Sequence, residues 1–174
     1  VATKYFKKDF AVKNTHTFLW FGDVSNLEYL VTFLKSLVSE KNFNLNLNII
    51  SNPHAKELLP KISCLRRANF FSWSISNLLK ASELSDICLI PGDKSNPRKA
   101  GVGANRLATS LALGLPTFAT SYSSYRQLSN YYSDIEVFDI KNYHSSIPTI
   151  SEGINASIFS ALKDFSVHSL GNKW

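Results

Sequence analysis

At 174 residues, with 44% hydrophobic and 18% charged residues, the chain is long enough for one ordinary domain with a sizeable core and too short for two. The formal net charge of +6 admits an anionic partner. The basic residues are scattered, however, so the long stripe of phosphate contacts that a nucleic-acid face requires is not expected. No apolar run approaches membrane-spanning length and no signal peptide is visible, so the expected location is cytoplasmic, with at most peripheral contact with a membrane.

Val1 to His16 is polar and basic, with Lys4, Lys7, Lys8 and Lys13 among Tyr5, Phe6 and Phe10. It reads as a linker or N-terminal extension ahead of a single domain over 17–174. The chain opens on Val1 and contains no Met, as expected of a piece of a longer polypeptide. Thr17 to Phe21 reads as a first strand and Gly22 as its turn. Leu27, Leu30, Val31, Leu34, Leu37 and Val38 follow at helical spacing, with Ser25 as the expected N-cap. Leu45, Leu47 and Ile49 alternate with asparagines before Ile50, a second strand ending at Ser51-Asn52-Pro53 near the same cleft. The asparagine run from Asn42 to Asn48 is a feature to which sequence alone attaches no mechanism. Ala55 to Leu65, with Pro60 inside it, reads as a short or broken helix. Asn69 to Trp73 reads as a third strand, and Leu78, Leu79, Ala81 and Leu84 mark the helix after it.

The stretch from Asp86 to Thr120 parses as one unit. Ile87 to Ile90 is a short apolar run of the kind a strand buried on both faces shows, and Pro91-Gly92 ends it. The loop from Asp93 to Gly103 carries Lys94, Arg98 and Lys99. Asn105 to Leu113 is the next helix, stopped by Gly114 and Pro116, and Pro116 to Thr120 is a fifth strand. Strand, basic loop, helix and strand form a βαβ unit whose helix N-terminus directs amides and a positive dipole end at whatever lies beyond the strands, so the natural guest is an anion. Gly101-Val102-Gly103 is only a fragment of a dinucleotide fingerprint. Ser121 to Leu128 reads as another helix, Ile135 to Ile140 as a sixth strand, and Ser151 to Leu170 as a closing helix. The expected architecture is α/β: a doubly wound, mostly parallel six-stranded Rossmann-like sheet with helices on both faces.

Leu19-Trp20-Phe21-Gly22, Trp73, Asp86 to Pro91, Lys99, Asn105-Arg106 and Ala112-Leu113-Gly114-Leu115-Pro116 occur in an order and spacing that resembles the C-terminal donor-binding domain of GT-B fold glycosyltransferases (group 1-like). The resemblance covers about Thr17 to Phe138. It implies a nucleotide-sugar-dependent transferase of which this chain is the donor half, the acceptor domain being absent from it. It further implies donor and phosphate contacts from Gly22, Asp23, Lys99, Asn105 and Arg106. Trp73 and Pro91 would lie under the base, and Tyr122, Ser124, Tyr125 and Thr109 would contact the sugar. On residue type alone, Trp73 beside Phe70 and Phe71 reads as a core packing group. Thr109 and Gly101 occupy the places of two glutamates found in many retaining members, and Asp23 stands where many have an arginine. No residue is assigned as catalytic.

Neither Cys64 and Cys88 nor His16, His54, His144 and His168 fall at metal-ligand spacing or in a catalytic pair. The Asn155-Ala156-Ser157 sequon has no role without a secretory route. No cofactor or metal is expected beyond the nucleotide-diphosphate sugar as substrate, and no nucleic acid as partner. A non-catalytic nucleotide-binding module, or a nucleotide-sugar epimerase of the same fold, stays open beside the transferase.

Overall fold

The computed structural model describes residues 16–38, 45–58, 65–97, 101, 103–131 and 138–139. The elements run β1 (Thr17–Phe21), α1 (Leu27–Val38), β2 (Leu45–Ser51), α2 (Ala55–Leu58), β3 (Leu65–Ser72), α3 (Ile75–Glu83), β4 (Ile87–Ile90), α4 (Asn105–Ala112), β5 (Thr117–Ala119) and α5 (Ser123–Tyr131). The five strands form an all-parallel sheet in the order β3-β2-β1-β4-β5.

Apolar residues alternate sides along the central strands and so divide the core into two layers. Phe18, Trp20, Leu47, Ile49, Ile87 and Leu89 pack with Leu27, Leu30 and Leu34 of α1 and Ala55 of α2 on one side. Leu19, Phe21, Ile50, Cys88 and Ile90 pack on the other with Leu78 and Ala81 of α3, Leu107 and Leu111 of α4, and Tyr125 of α5. Helices therefore cover both faces, as a doubly wound Rossmann-like domain requires. The order in which strands are added switches from one side of β1 to the other at β4, which opens a crevice at the carboxyl ends of these two parallel strands.

A full sixth strand over Ile135–Ile140 is not seen. Only Phe138–Asp139 pairs, in parallel, with Phe118 and Ala119. Among the described residues the sheet therefore has five full strands, with this two-residue pairing at its edge. β3 begins four residues before the expected start and ends at Ser72, one before Trp73. Its first half carries exposed Arg66 and Arg67, which an edge position tolerates and an apolar pattern does not reveal. Ser25 is not the cap ahead of α1. Asp23, extended at ψ 152°, caps the 3-10 turn Val24–Asn26 by accepting from the Ser25 amide at 2.9 Å. The helix expected over Ala55 to Leu65 is described only as the four residues of α2, and α3 is capped by Ser74, whose hydroxyl accepts from the Asn77 amide at 3.0 Å. Val1 to Thr15, Cys64, Arg98, Lys99, and the closing helix over Ser151 to Leu170 with the sequon, His144 and His168, lie outside the described residues.

The asparagines of β2 find a use in the fold. Asn48 is buried; its Nδ2 donates to Ser85 Oγ at 2.9 Å and its Oδ1 accepts from Asn69 Nδ2 at 2.9 Å. Ser85 Oγ in turn donates to the Ala81 carbonyl at 2.7 Å. This network ties β2 and β3 to the end of α3, and each buried polar atom in it is satisfied by another.

α4 ends as the Gly114-Leu115-Pro116 sequence demands. Gly114 has φ 71°, its amide donates to Leu111 O at 2.8 Å, and the Leu115 amide donates to Ser110 O at 3.1 Å. These are the two bonds of a Schellman motif, and Leu115 packs beside Leu111 as its apolar contact. Gly114→Ala places a Cβ in the left-handed region and is expected to lower unfolding free energy by about 1 kcal/mol in urea titration.

Candidate functional site: a crevice at the strand-order reversal

Two backbone bonds and one hydroxyl align the strand ends that make the crevice. The Gly22 amide donates to Ile50 O at 3.1 Å, Ser51 Oγ donates to Gly22 O at 2.7 Å, and the Trp73 amide donates to Ser51 O at 2.7 Å. The bond from Ala108 N to Ala104 O at 2.8 Å closes the first turn of α4 opposite them. Between these elements lies a cavity of about 490 Å³ lined by Phe21, Gly22, Asp23, Asn26, Asn52, Trp73, Asn105, Arg106 and Thr109.

Arg106 forms the floor. Its Nη2 donates to the Phe21 carbonyl at 2.6 Å, and its Cζ stands 5.5 Å from the Trp20 ring centre and 5.7 Å from that of Phe21. Glycine at position 22 suits the close seat, since an added Cβ would stand 3.3 Å from both Cζ and Nη2 and press on the guanidinium. Its Nε is buried without a partner. No salt bridge to this guanidinium is found among the described residues, and the ionisable groups whose fields reach it are Cys88, Tyr125 and Tyr122, all neutral at pH 7. Burial pushes its pKa down from the ordinary value, because the cation has lost water without gaining an anion. The N terminus of α4 adds to this positive end: Ala104 gives no side-chain cap and the first turn has no acidic residue. An anion seated here would meet both.

A scan against protein-family models and a search of curated proteins find no match to this chain.

The structure gathers Gly22, Asp23, Trp73, Asn105, Arg106 and Thr109 of the sequence-predicted residues around one crevice. Trp73 is 54% exposed, with its ring tilted against Phe21 at 6.5 Å, and so is not the core residue its composition suggested. Thr109 Oγ1 is turned to the Asn105 carbonyl at 2.8 Å. Tyr122 and Tyr125 are placed differently. They are buried edge to face at 5.5 Å in the core and are not among the residues lining the crevice, and burial raises the pKa of both hydroxyls. Ser124 is half-buried near the start of α5, away from the crevice lining. Pro91 lines a second cavity of about 680 Å³ with Tyr29, Phe33, Asp93 and Asn96, instead of the crevice beside Trp73. Lys99 lies outside the described residues.

Sequence reasoning missed Phe21, Asn26 and Asn52. Asn52 had a usable signal: it is the first residue past a parallel strand, and ligands gather outside such ends. Its Oδ1, like Arg106 Nε, is buried without a partner. Among the described residues, no group of three His, Cys, Asp or Glu could hold a metal ion.

Two measurements follow from this electrostatic arrangement. Arg106→Met removes a desolvated charge and one hydrogen bond while keeping most of the volume. Its unfolding free energy in urea is expected to stay within about 1 kcal/mol of the parent, whereas Arg106→Ala, which also leaves a cavity, loses about 2 kcal/mol or more. Cys88 is fully buried, and burial pushes its thiol pKa up to about 12 from 9.0. A folded-state value above the unfolded one gives stability that is complete below pH 9 and declines from there toward pH 12, as the unfolded chain alone sheds the proton. Cys88→Ala should therefore flatten the fall in stability between pH 8.5 and 10.5, and iodoacetamide at pH 8 should leave the native Cys88 peptide unmodified by mass spectrometry.

Proposed function

We propose that this chain is the donor-binding half of a nucleotide-sugar-dependent glycosyltransferase, with acceptor contacts and any general base supplied by a further domain. The observation that carries the reading is the buried Arg106 guanidinium, Nε unpartnered, next to the uncapped N terminus of α4 and across from the exposed Trp73 ring. A nucleoside diphosphate complements all three: phosphate oxygens for the cation and amides, a base for the indole face. The order of motifs from Leu19 to Pro116, similar to GT-B donor domains, supports sugar as the third part of the ligand.

Within this reading the diphosphate is the leaving group. Negative charge grows on it as the glycosyl bond breaks, and fixed donors already aimed at that position stabilise the transition state more than the ground state. Arg106, whose charge is under-solvated before the ligand arrives, gains the most from that growth. Lys99, on the loop before α4, is the proposed second cation. A binding-only module is the second reading, favoured by one observation: Asp23 is the sole acid among the crevice residues.

Calorimetric titration with UDP, GDP, ADP and their sugars tests the proposal. Binding is expected, weakened about tenfold or more by Trp73→Ala through loss of stacking. Trp73→Phe should keep the affinity and abolish the ligand-induced quench of indole fluorescence. Absence of binding to all of these ligands would remove the reading. Slow release of sugar from a bound donor favours the transferase, and tight binding with the sugar left intact favours the module.

A further inference from the structure

Strand order places the crevice residues along a line. Trp73 follows β3, Asn52 follows β2, and Gly22 and α4 flank the ends of β1 and β4. The Trp73 ring centre lies 6.5 Å from that of Phe21, which stands 5.7 Å from Arg106 Cζ, so indole and guanidinium are at most about 12 Å apart. That is the reach of an extended nucleoside diphosphate. If the base lies on Trp73 and the phosphates lie at Arg106, the middle position over β2 falls to the pentose.

Asn52 occupies that middle position. Its backbone carbonyl is already used, accepting from the Ala55 amide at 3.1 Å, and the register on either side is fixed by the Gly22 to Ile50 and Trp73 to Ser51 bonds. Its side-chain oxygen is buried on the crevice wall with no donor in reach. A buried acceptor without a donor is destabilising, and a ligand hydroxyl at this point would relieve that cost. The neutral amide also suits a group beside a diphosphate better than a second carboxylate does, since Asp23 already contributes negative charge to the same wall.

We propose that Asn52 accepts a hydrogen bond from a ribose hydroxyl of the bound nucleotide, so that the crevice prefers nucleoside diphosphates carrying that hydroxyl over the deoxy form that lacks it. This rests on the nucleoside-diphosphate reading above and deepens it by assigning the pentose. Thr109 and Gly101 supply no carboxylate for the sugar hydroxyls, and Asn52 reaches the pentose from the opposite wall.

The test is calorimetric titration of the full chain with ADP, GDP and UDP, followed by the 2′-deoxy and 3′-deoxy forms of whichever binds best. The parent is expected to bind one deoxy form about tenfold more weakly than the ribo form, since that form leaves Asn52 Oδ1 unpaired. Asn52→Ala should bring the two within about twofold, and Asn52→Asp, which keeps an acceptor there, should preserve the preference. Equal parent affinity for the ribo form and both deoxy forms overturns this inference and leaves the donor crevice standing. No binding of any of the three diphosphates takes down both. A change in base preference in Asn52→Ala, with sugar discrimination untouched, assigns Asn52 to the base and also overturns the inference. The parent comparison needs no variant, so it decides the matter even where Asn52→Ala fails to fold.

Discussion

One contact shapes the crevice more than any other: the Arg106 guanidinium reaching back to the carbonyl of Phe21. It links the first turn of α4 to the last residue of β1, across the line where the strand order switches sides. Desolvating a cation costs several kcal/mol. What offsets it here is a charged hydrogen bond of about 1.5–3 kcal/mol and two aromatic faces of about 0.5–2 kcal/mol each. These are substantial without being complete, because Nε has no acceptor and no carboxylate pairs with the group among the described residues. The remaining electrostatic demand points into the crevice.

The glycine turn, the aromatic floor and the uncapped helix follow from that contact. A side chain at position 22 would press on the guanidinium that sits against it. Trp20 and Phe21 supply the faces beneath and beside it, one from each side of β1, since residues alternate along a strand. Ala104 leaves the α4 amides open where Ser or Asp would have closed them. Elsewhere the same chain caps its turns with side chains, at Asp23 and at Ser74, so the bare end of α4 is a local exception.

Behind the crevice the packing is apolar and inert. Cys88, Leu107 and Tyr125 fill the space between α4, β4 and α5. Thr117 Oγ1 donates to Ser110 Oγ at 2.7 Å, and Ser110 Oγ donates to Leu107 O at 2.8 Å, which holds α4 to β5 from within. This anchors the C-terminal half of the helix whose N terminus faces the crevice. Tyr122 and Tyr125 belong to this support, which is why hydroxyl-bearing residues just after a strand end are not crevice residues here.

Local chemistry determined the parts of this protein that were legible from residues alone. Apolar runs bounded by glycine and proline marked β1, β2, β4 and β5. Gly114 announced the end of α4 because only a residue at ease with positive φ closes a helix in that way, and Asn105-Arg106 marked its start. Tertiary structure decided exposure, which depends on what other elements cover. The same aromatic type is open to solvent at Trp73 and enclosed at Trp20 and Tyr125, and no periodicity distinguishes them. It also decided that Arg106 folds onto a carbonyl 85 residues away in sequence, and that Asn52, unremarkable in its own segment, stands between a ring and a buried cation. Spacing along a chain specifies faces and turns; which faces meet is settled only when the sheet is assembled.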